Sequence, residues 1–134
     1  LIQMATIFTK IVNGEIPCYK IAEDERFFAF LDINPVQKGH TLVIPKVEED
    51  YIFRLDDETV GDLMVFAKKV ALAIEEVVPC KRISVAVMGL EVPHTHIHLI
   101  PIQNEGDLNF ANKKSLSQEE MISIAEQISA KVRL

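Results

Sequence analysis

The chain has 134 residues, 49% of them hydrophobic and 25% charged, with a formal net charge of −6. This composition is ordinary for a globular protein with a core of its own. The acidic balance excludes broad, sequence-independent nucleic-acid binding, which needs a basic surface, while leaving room for a small anionic ligand held by local dipoles and a few side chains.

Leu1-Ile2-Gln3 precede a natural-looking start at Met4 and read as a cloning remnant, which leaves one domain over 4–134. The segment from Thr6 to Lys20 lacks a signal-peptide layout, and no apolar run approaches the length of a membrane span. Cys18 and Cys80 lie far apart in no C-x-x-C pattern and read as free thiols of a reducing compartment. A cytoplasmic protein without membrane contact is expected.

Ile7 to Val12 fits a short helical turn that ends near Asn13-Gly14. Tyr19 to Glu23 reads as a strand, Asp24-Glu25 as a turn, and Phe27 to Asp32 as a second strand broken by Asn34-Pro35. Gly39 closes that loop, and His40 to Pro45 makes a third strand with its proline at the end, where a missing N–H does least harm. From Asp56 to Val78 the period changes. Leu63, Phe66, Ala67, Val70, Ala71, Ile74 and Val78 recur at three- and four-residue spacing, Asp56, Asp57 and Glu58 crowd the start, and Pro79 stops the helix. Leu63, Val65, Phe66, Val70, Leu72 and Ile74 cannot all face one sheet, and a second apolar stripe points to a partner, so a homodimer is expected unless the C-terminal helix covers it. Ile83 to Met88 is a fourth strand and the run from Pro93 to Pro101 a fifth. Ser117 and Glu120, at capping-box spacing, open a last helix. The fold class expected is α+β, a mostly antiparallel five-stranded sheet with one long central helix and a C-terminal helix.

The fifth strand carries the chemistry. His94, His96 and His98 are three of the four histidines in the chain and fall at i, i+2 and i+4, so a strand sends all three to one face and Thr95, Ile97 and Leu99 to the other. Like charges this close disfavour protonation, so at least one ring is neutral and nucleophilic near neutral pH. Three readings compete. The histidines alternate on a half-buried strand by chance; or they chelate a metal, although a catalytic zinc would draw all three ligands from one strand; or one ring attacks an electrophile while its neighbours orient it and handle protons.

The His94-Thr95-His96-Ile97-His98 run with two apolar residues after it resembles the signature of the histidine triad superfamily of nucleotide hydrolases and transferases. The resemblance extends over Thr6 to Pro17, Phe30 to Pro35 and Gly39 to Lys46, is closest to the bacterial, Hint-like branch, and leaves the tail from Gln103 without an assignable pattern. It implies that His96 is the nucleophile toward the α-phosphate of a nucleotide, that His94 and His98 flank that phosphate, and that His40 lies beside the row. It implies further that Asp32 accepts the ribose hydroxyls, where the residues alone also allow a turn former before Asn34-Pro35. Phe8, Ile11, Ile16, Phe30 and Ile33 fall where the family lines its base pocket. No cofactor is implied, and the partner is a purine nucleotide or nucleotide conjugate, with two sheets paired edge to edge in a homodimer.

Two departures matter. Where relatives carry a C-x-x-C pair for a structural zinc this chain has Thr6 and Thr9, and Val47-Glu48 stands where a histidine would complete the site, so no metal is expected. Before the row, the chain has Gly89-Leu90-Glu91-Val92-Pro93 in place of the family's glycine-glutamine step; leucine cannot donate a hydrogen bond and Glu91 repels phosphate, so both tune the substrate. Pro93 removes a ladder donor and suggests a bulge or edge at the site's mouth. The function expected is a nucleotidyl hydrolase or phosphoramidase acting on purine nucleotide conjugates through a nucleotidyl-histidine. The alternatives are a dinucleoside polyphosphate hydrolase and a nucleotide-binding protein with little turnover.

Overall fold

The computed structural model describes residues 5–134, so the proposed remnant Leu1-Ile2-Gln3 and the start at Met4 lie outside the described residues. The chain runs through α1 (Ile7–Val12), β1 (Lys20–Glu23), β2 (Phe27–Leu31), β3 (Thr41–Pro45), α2 (Asp57–Val77), β4 (Arg82–Ala86), β5 (Ile97–Ile102) and α3 (Gln118–Ser129). Single 3-10 turns at Ile52–Arg54 and Glu105–Asp107 were not anticipated. The strands pair antiparallel in the order β1-β2-β3-β5-β4, an α+β fold of the expected kind.

The helices start where capping chemistry places them. Thr6 accepts the Thr9 N–H at the head of α1, Asp56 accepts the Thr59 N–H at 2.8 Å at the head of α2, and Ser117 and Glu120 form a reciprocal box at α3. None of the described helices is long and apolar enough to cross a membrane.

Both faces of the central strands are buried, and period-two alternation divides their side chains between two cores. Phe27, Ala29, Leu31, Val43, Ile97 and Leu99 pack under α2 and α3 in the larger core. Phe28, Phe30, Leu42 and Ile44 take the opposite face and pack with Phe8 of α1. Leu42 pairs in register with His98, so the histidine face of β5 is the α1 face of the sheet. Gly39 sits just before β3 with φ +89°, and a Cβ there would meet Val78 Cγ2 at 2.9 Å, so only glycine lets the loop turn into the sheet at His40.

Two boundaries differ from expectation. β5 begins at Ile97, not at Pro93, because Thr95 turns away from the sheet and gives both its N–H and its hydroxyl to the Glu49 carbonyl, each at 2.7 Å. With no partner before Ile97, β4 stops at Ala86, opposite His98, and residues 87–96 form a loop at the sheet's end. On α2 the two stripes separate as expected: Leu63, Phe66, Val70 and Ile74 are buried, while Val65 and Leu72 remain 52% exposed even though α3 packs against the helix.

Candidate active site

Of the three histidines in the row, only His98 lies within β5. His94 and His96 sit on the incoming loop, yet the rings still gather on the α1 face, with His96 4.9 Å from His98 and the edge of Phe8 5.1 Å from His96 and 5.7 Å from His94. All three are buried, as is His40, which comes from the adjacent β3 end.

The hydrogen-bond partners decide where each proton sits. His96 Nδ1 lies 2.7 Å from the His94 carbonyl, which can only accept, so Nδ1 carries the hydrogen and Nε2 keeps a free lone pair. The Val36 N–H donates to His40 Nδ1 at 3.0 Å, which forces the His40 hydrogen onto Nε2. His40 Nε2 then donates to His98 Nδ1 at 2.9 Å, leaving His98 with its hydrogen on Nε2. His94 Nε2 donates to the Pro45 carbonyl at 2.7 Å and Nδ1 accepts from the Thr6 hydroxyl at 2.7 Å. Burial above all, and the charge of neighbouring His98, pushes His40 down to about 3. Burial and neighbouring His96 push His98 down to about 4. His94 is also lowered, by burial, against the opposing pull of the Pro45 carbonyl and the Glu48 carboxylate. His40, His94 and His98 are thus held toward the neutral form, and hydrogen bonds fix their tautomers.

A cavity of about 340 Å³ opens against these rings, within the range of roughly 300–1,000 Å³ usual for small-molecule sites. His96 and His98 line it, and so do all five expected base-pocket residues, Phe8, Ile11, Ile16, Phe30 and Ile33, together with Asp32. His40 and His94 do not line it. His40 stands behind His98, and His94 has both ring nitrogens engaged by Pro45 and Thr6, so the geometry gives both a supporting position in place of the flanking one expected for His94. Asp32 fulfils the turn reading and keeps capacity for a ligand: Oδ1 accepts the Asn34 N–H at 2.8 Å, while Oδ2 makes no closer contact than 3.6 Å to His40 Nε2. Burial raises its pKa, opposed by the Asn34 N–H and the charge of Lys113.

Leu90 and Glu91 lie on the loop at the cavity mouth, where Gly89 turns with φ +71° and Leu90 is 91% exposed. Several further residues line the cavity, among them Phe110 and Lys113 from the segment between β5 and α3. The only local signal for them was an aromatic followed by a basic pair, Lys113-Lys114, in an otherwise patternless tail.

Among the described residues, the trio that brings metal-ligating atoms together is Asp32, His40 and His98, within 4.8 Å of one another, and not the row itself. Its donor chemistry does not suit a cation. His40 Nε2 carries the hydrogen shared with His98, and freeing it would turn a second N–H against that of Val36.

Known proteins resemble this chain in sequence and fold. A family model described as the HIT domain matches residues 13–105. The adenosine 5'-monophosphoramidase of Schizosaccharomyces pombe is 40% identical over 133 residues, covering 97% of this chain and 100% of that one. The crystal structure of a Hit-like protein from Bartonella henselae superimposes with a TM-score of 0.83 at 30% identity, covering 94% and 95% of the two chains. A zinc-bound histidine triad protein from Mycobacterium smegmatis superimposes at 0.79 with 31% identity, covering 92% of each. A structural zinc does not fit the corresponding corner here. Thr6 and Thr9 offer hydroxyls where zinc takes thiolate, imidazole or carboxylate. The remaining candidates, Glu48 and His94, are occupied by the Thr6 N–H at 2.8 Å and the Thr6 hydroxyl at 2.7 Å.

The neutral rings make acid stability a direct test. In the unfolded chain each histidine titrates near 6.5, so below that pH the unfolded state takes up protons that the folded state refuses. Stability present above pH ~6.5 is lost as the pH falls toward the depressed folded values, with a limiting slope of about 1.4 kcal/mol per pH unit for each ring. Asp32, raised by burial, acts in the opposite sense. Urea denaturation between pH 6 and 5 is expected to show a slope reduced by about 1.4 kcal/mol per pH unit in His40→Gln; an unchanged slope would show that His40 is not held neutral.

Proposed function

This chain belongs to the HIT domain family, and from that premise we propose that it is a cytoplasmic nucleotidyl hydrolase, a single domain over 4–134 that cleaves purine nucleotide conjugates, foremost phosphoramidates, at the α-phosphate. The observation that carries the reading is the His96 tautomer, with Nδ1–H tied to the His94 carbonyl and a free Nε2 on a ring lining a cavity with an apolar wall and a spare carboxylate oxygen. The similarity to an adenosine 5'-monophosphoramidase supports the same chemistry.

The base packs against Phe8, Ile11, Ile16, Phe30 and Ile33, and the ribose hydroxyls donate to Asp32. His96 Nε2 forms a bond to the α-phosphorus while the bond to the leaving group breaks. His98 Nε2–H donates a hydrogen bond to the departing atom, and where that atom is an amine nitrogen, solvent at the open mouth supplies the proton it takes up. Water then attacks the nucleotidyl-His96, releases the mononucleotide and returns Nε2 its lone pair. His40 keeps His98 in the donating tautomer, and His94 holds the carbonyl that orients His96. Both cysteines are free, in keeping with a reducing compartment.

The active form is a homodimer. β4 ends the sheet with an open outer edge among the described residues, exposed Val85, Val87 and Met88 lie on it or just beyond, and α2 leaves Val65 and Leu72 uncovered. A second copy paired along β4 satisfies all three features.

Three outcomes test this reading. His96→Ala is expected to abolish turnover of an adenosine 5′-phosphoramidate while nucleotide affinity stays within about tenfold, because base and ribose contacts persist; near-normal turnover would remove His96 from its role. Wild-type kcat/KM should be higher for phosphoramidates than for diadenosine polyphosphates, and Glu91→Gln should narrow that gap, since a carboxylate at the mouth repels a charged leaving group. A ratio unmoved by Glu91→Gln would show that Glu91 does not set it. Light scattering at micromolar concentration should give twice the chain mass, and a monomeric mass would overturn the dimer.

A further inference from the structure

The segment between β5 and α3 closes one side of the cavity with residues for which the reaction outlined above has no use. It is pinned to the loop that carries Asp32 and His40: the Lys114 N–H donates to the Pro35 carbonyl at 2.7 Å, and Gln37 Nε2 donates to the Asp107 carbonyl at 2.9 Å. So anchored, it presents the Phe110 ring edge-on to His98 at 5.0 Å and to His40 at 6.3 Å. Lys113 Nζ stands 5.3 Å from the Phe110 centroid, which puts an ammonium beside the ring that flanks His98. The rest of the Lys113 side chain is exposed and free to swing along this wall.

The charges around the cavity explain why this placement matters. Its lining holds two carboxylates, Asp32 and Glu91, and among the described lining residues Lys113 is the one lysine or arginine. Its charge is felt at Asp32, His40 and His98. Burial holds His98 toward the neutral form, and Lys113 is the one permanent cation among the described lining residues.

Resting on the reading that His96 attacks an α-phosphate, we propose that Lys113 is a specificity-determining residue that binds an anionic leaving group, the phosphate chain beyond the α-phosphate of a phosphoanhydride-linked nucleotide. When His96 Nε2 forms the N–P bond, the bond from the α-phosphorus to the bridging oxygen breaks and its electron pair leaves with the departing phosphate, whose charge grows by one unit. Lys113 stabilises that growing charge without giving up a proton, so its effect is larger in the transition state than in the ground state. An amine leaving group develops no such charge. Glu91 and Lys113 thus work against each other: Glu91 disfavours charged leaving groups and Lys113 retains a measure of activity toward them.

The test uses the full chain in four forms: wild type, Lys113→Met, Lys113→Arg and, as a control on a neighbour outside the cavity lining, Lys114→Met. Turnover of diadenosine triphosphate and of adenosine 5′-phosphoramidate is measured in parallel, with the affinities of AMP and ADP by calorimetry. Lys113→Met is expected to lower the ratio of kcat/KM for the triphosphate to that for the phosphoramidate by at least about tenfold, and to lower the affinity of ADP relative to AMP. Lys113→Arg should restore both, and Lys114→Met should change neither. A ratio unmoved by Lys113→Met, or a parallel loss on both substrates that arginine does not rescue, overturns the proposal and leaves the nucleotidyl-hydrolase reading in place. A wild type that cleaves neither substrate, yet binds ADP more tightly than AMP through Lys113, overturns the hydrolase reading and supports the anion site.

Discussion

One hydrogen bond, from the Val36 amide to His40 Nδ1, settles the proton positions on two imidazoles in turn. A backbone N–H has no alternative role, so His40 must accept there and donate from Nε2, and His98 must accept from it and donate from its own Nε2. An independent carbonyl fixes His96 in the opposite sense. The result is a nitrogen free of protein partners and a donating nitrogen on adjacent rings 4.9 Å apart. The loop holding Val36 and His40 depends in turn on Gly39, whose backbone no side chain could accompany past Val78. Electrostatic preorganisation here comes from the main chain, which cannot change its charge with pH.

Much of this was legible in the sequence, because the signals were periodic or local. Short apolar runs bounded by turn residues marked Phe27–Leu31 and Thr41–Pro45 as strands, three- and four-residue spacing marked α2, and cap chemistry placed the start of α3. Phe8, Ile11, Ile16, Phe30, Ile33 and Asp32 lie on one cavity. The start of β5 was not legible, since the competitor for Thr95 is the carbonyl of Glu49, 46 residues away. Nothing in an alternating His-Thr-His run announces such a bond. For the same reason His94 looks like its neighbours on paper yet spends both nitrogens on Thr6 and Pro45. Phe110 and Lys113 reach the site through a long-range anchor at Pro35, which leaves no local pattern behind.

The corner around Thr6 shows how distant segments can be tied together without a metal's donor set. A metal ties distant chain segments together through bonds that demand thiolates or imidazoles. In this chain the Thr6 hydroxyl and N–H join α1, the Glu48 loop and His94 by hydrogen bonds alone. The cost is a weaker clasp. The gain is a corner indifferent to chelators and to oxidation of thiols.

That corner makes α1 a lever. A helix of six residues is far too short to persist by itself, so its residence depends on what Phe8 and Ile11 touch at one end and on the Thr6 bond to His94 at the other. The same His94 supplies the carbonyl that holds the attacking ring. In the proposed reaction, a purine seated against Phe8 braces the helix, the braced helix steadies His94 and His94 steadies the His96 ring, which couples recognition of the base to readiness for attack.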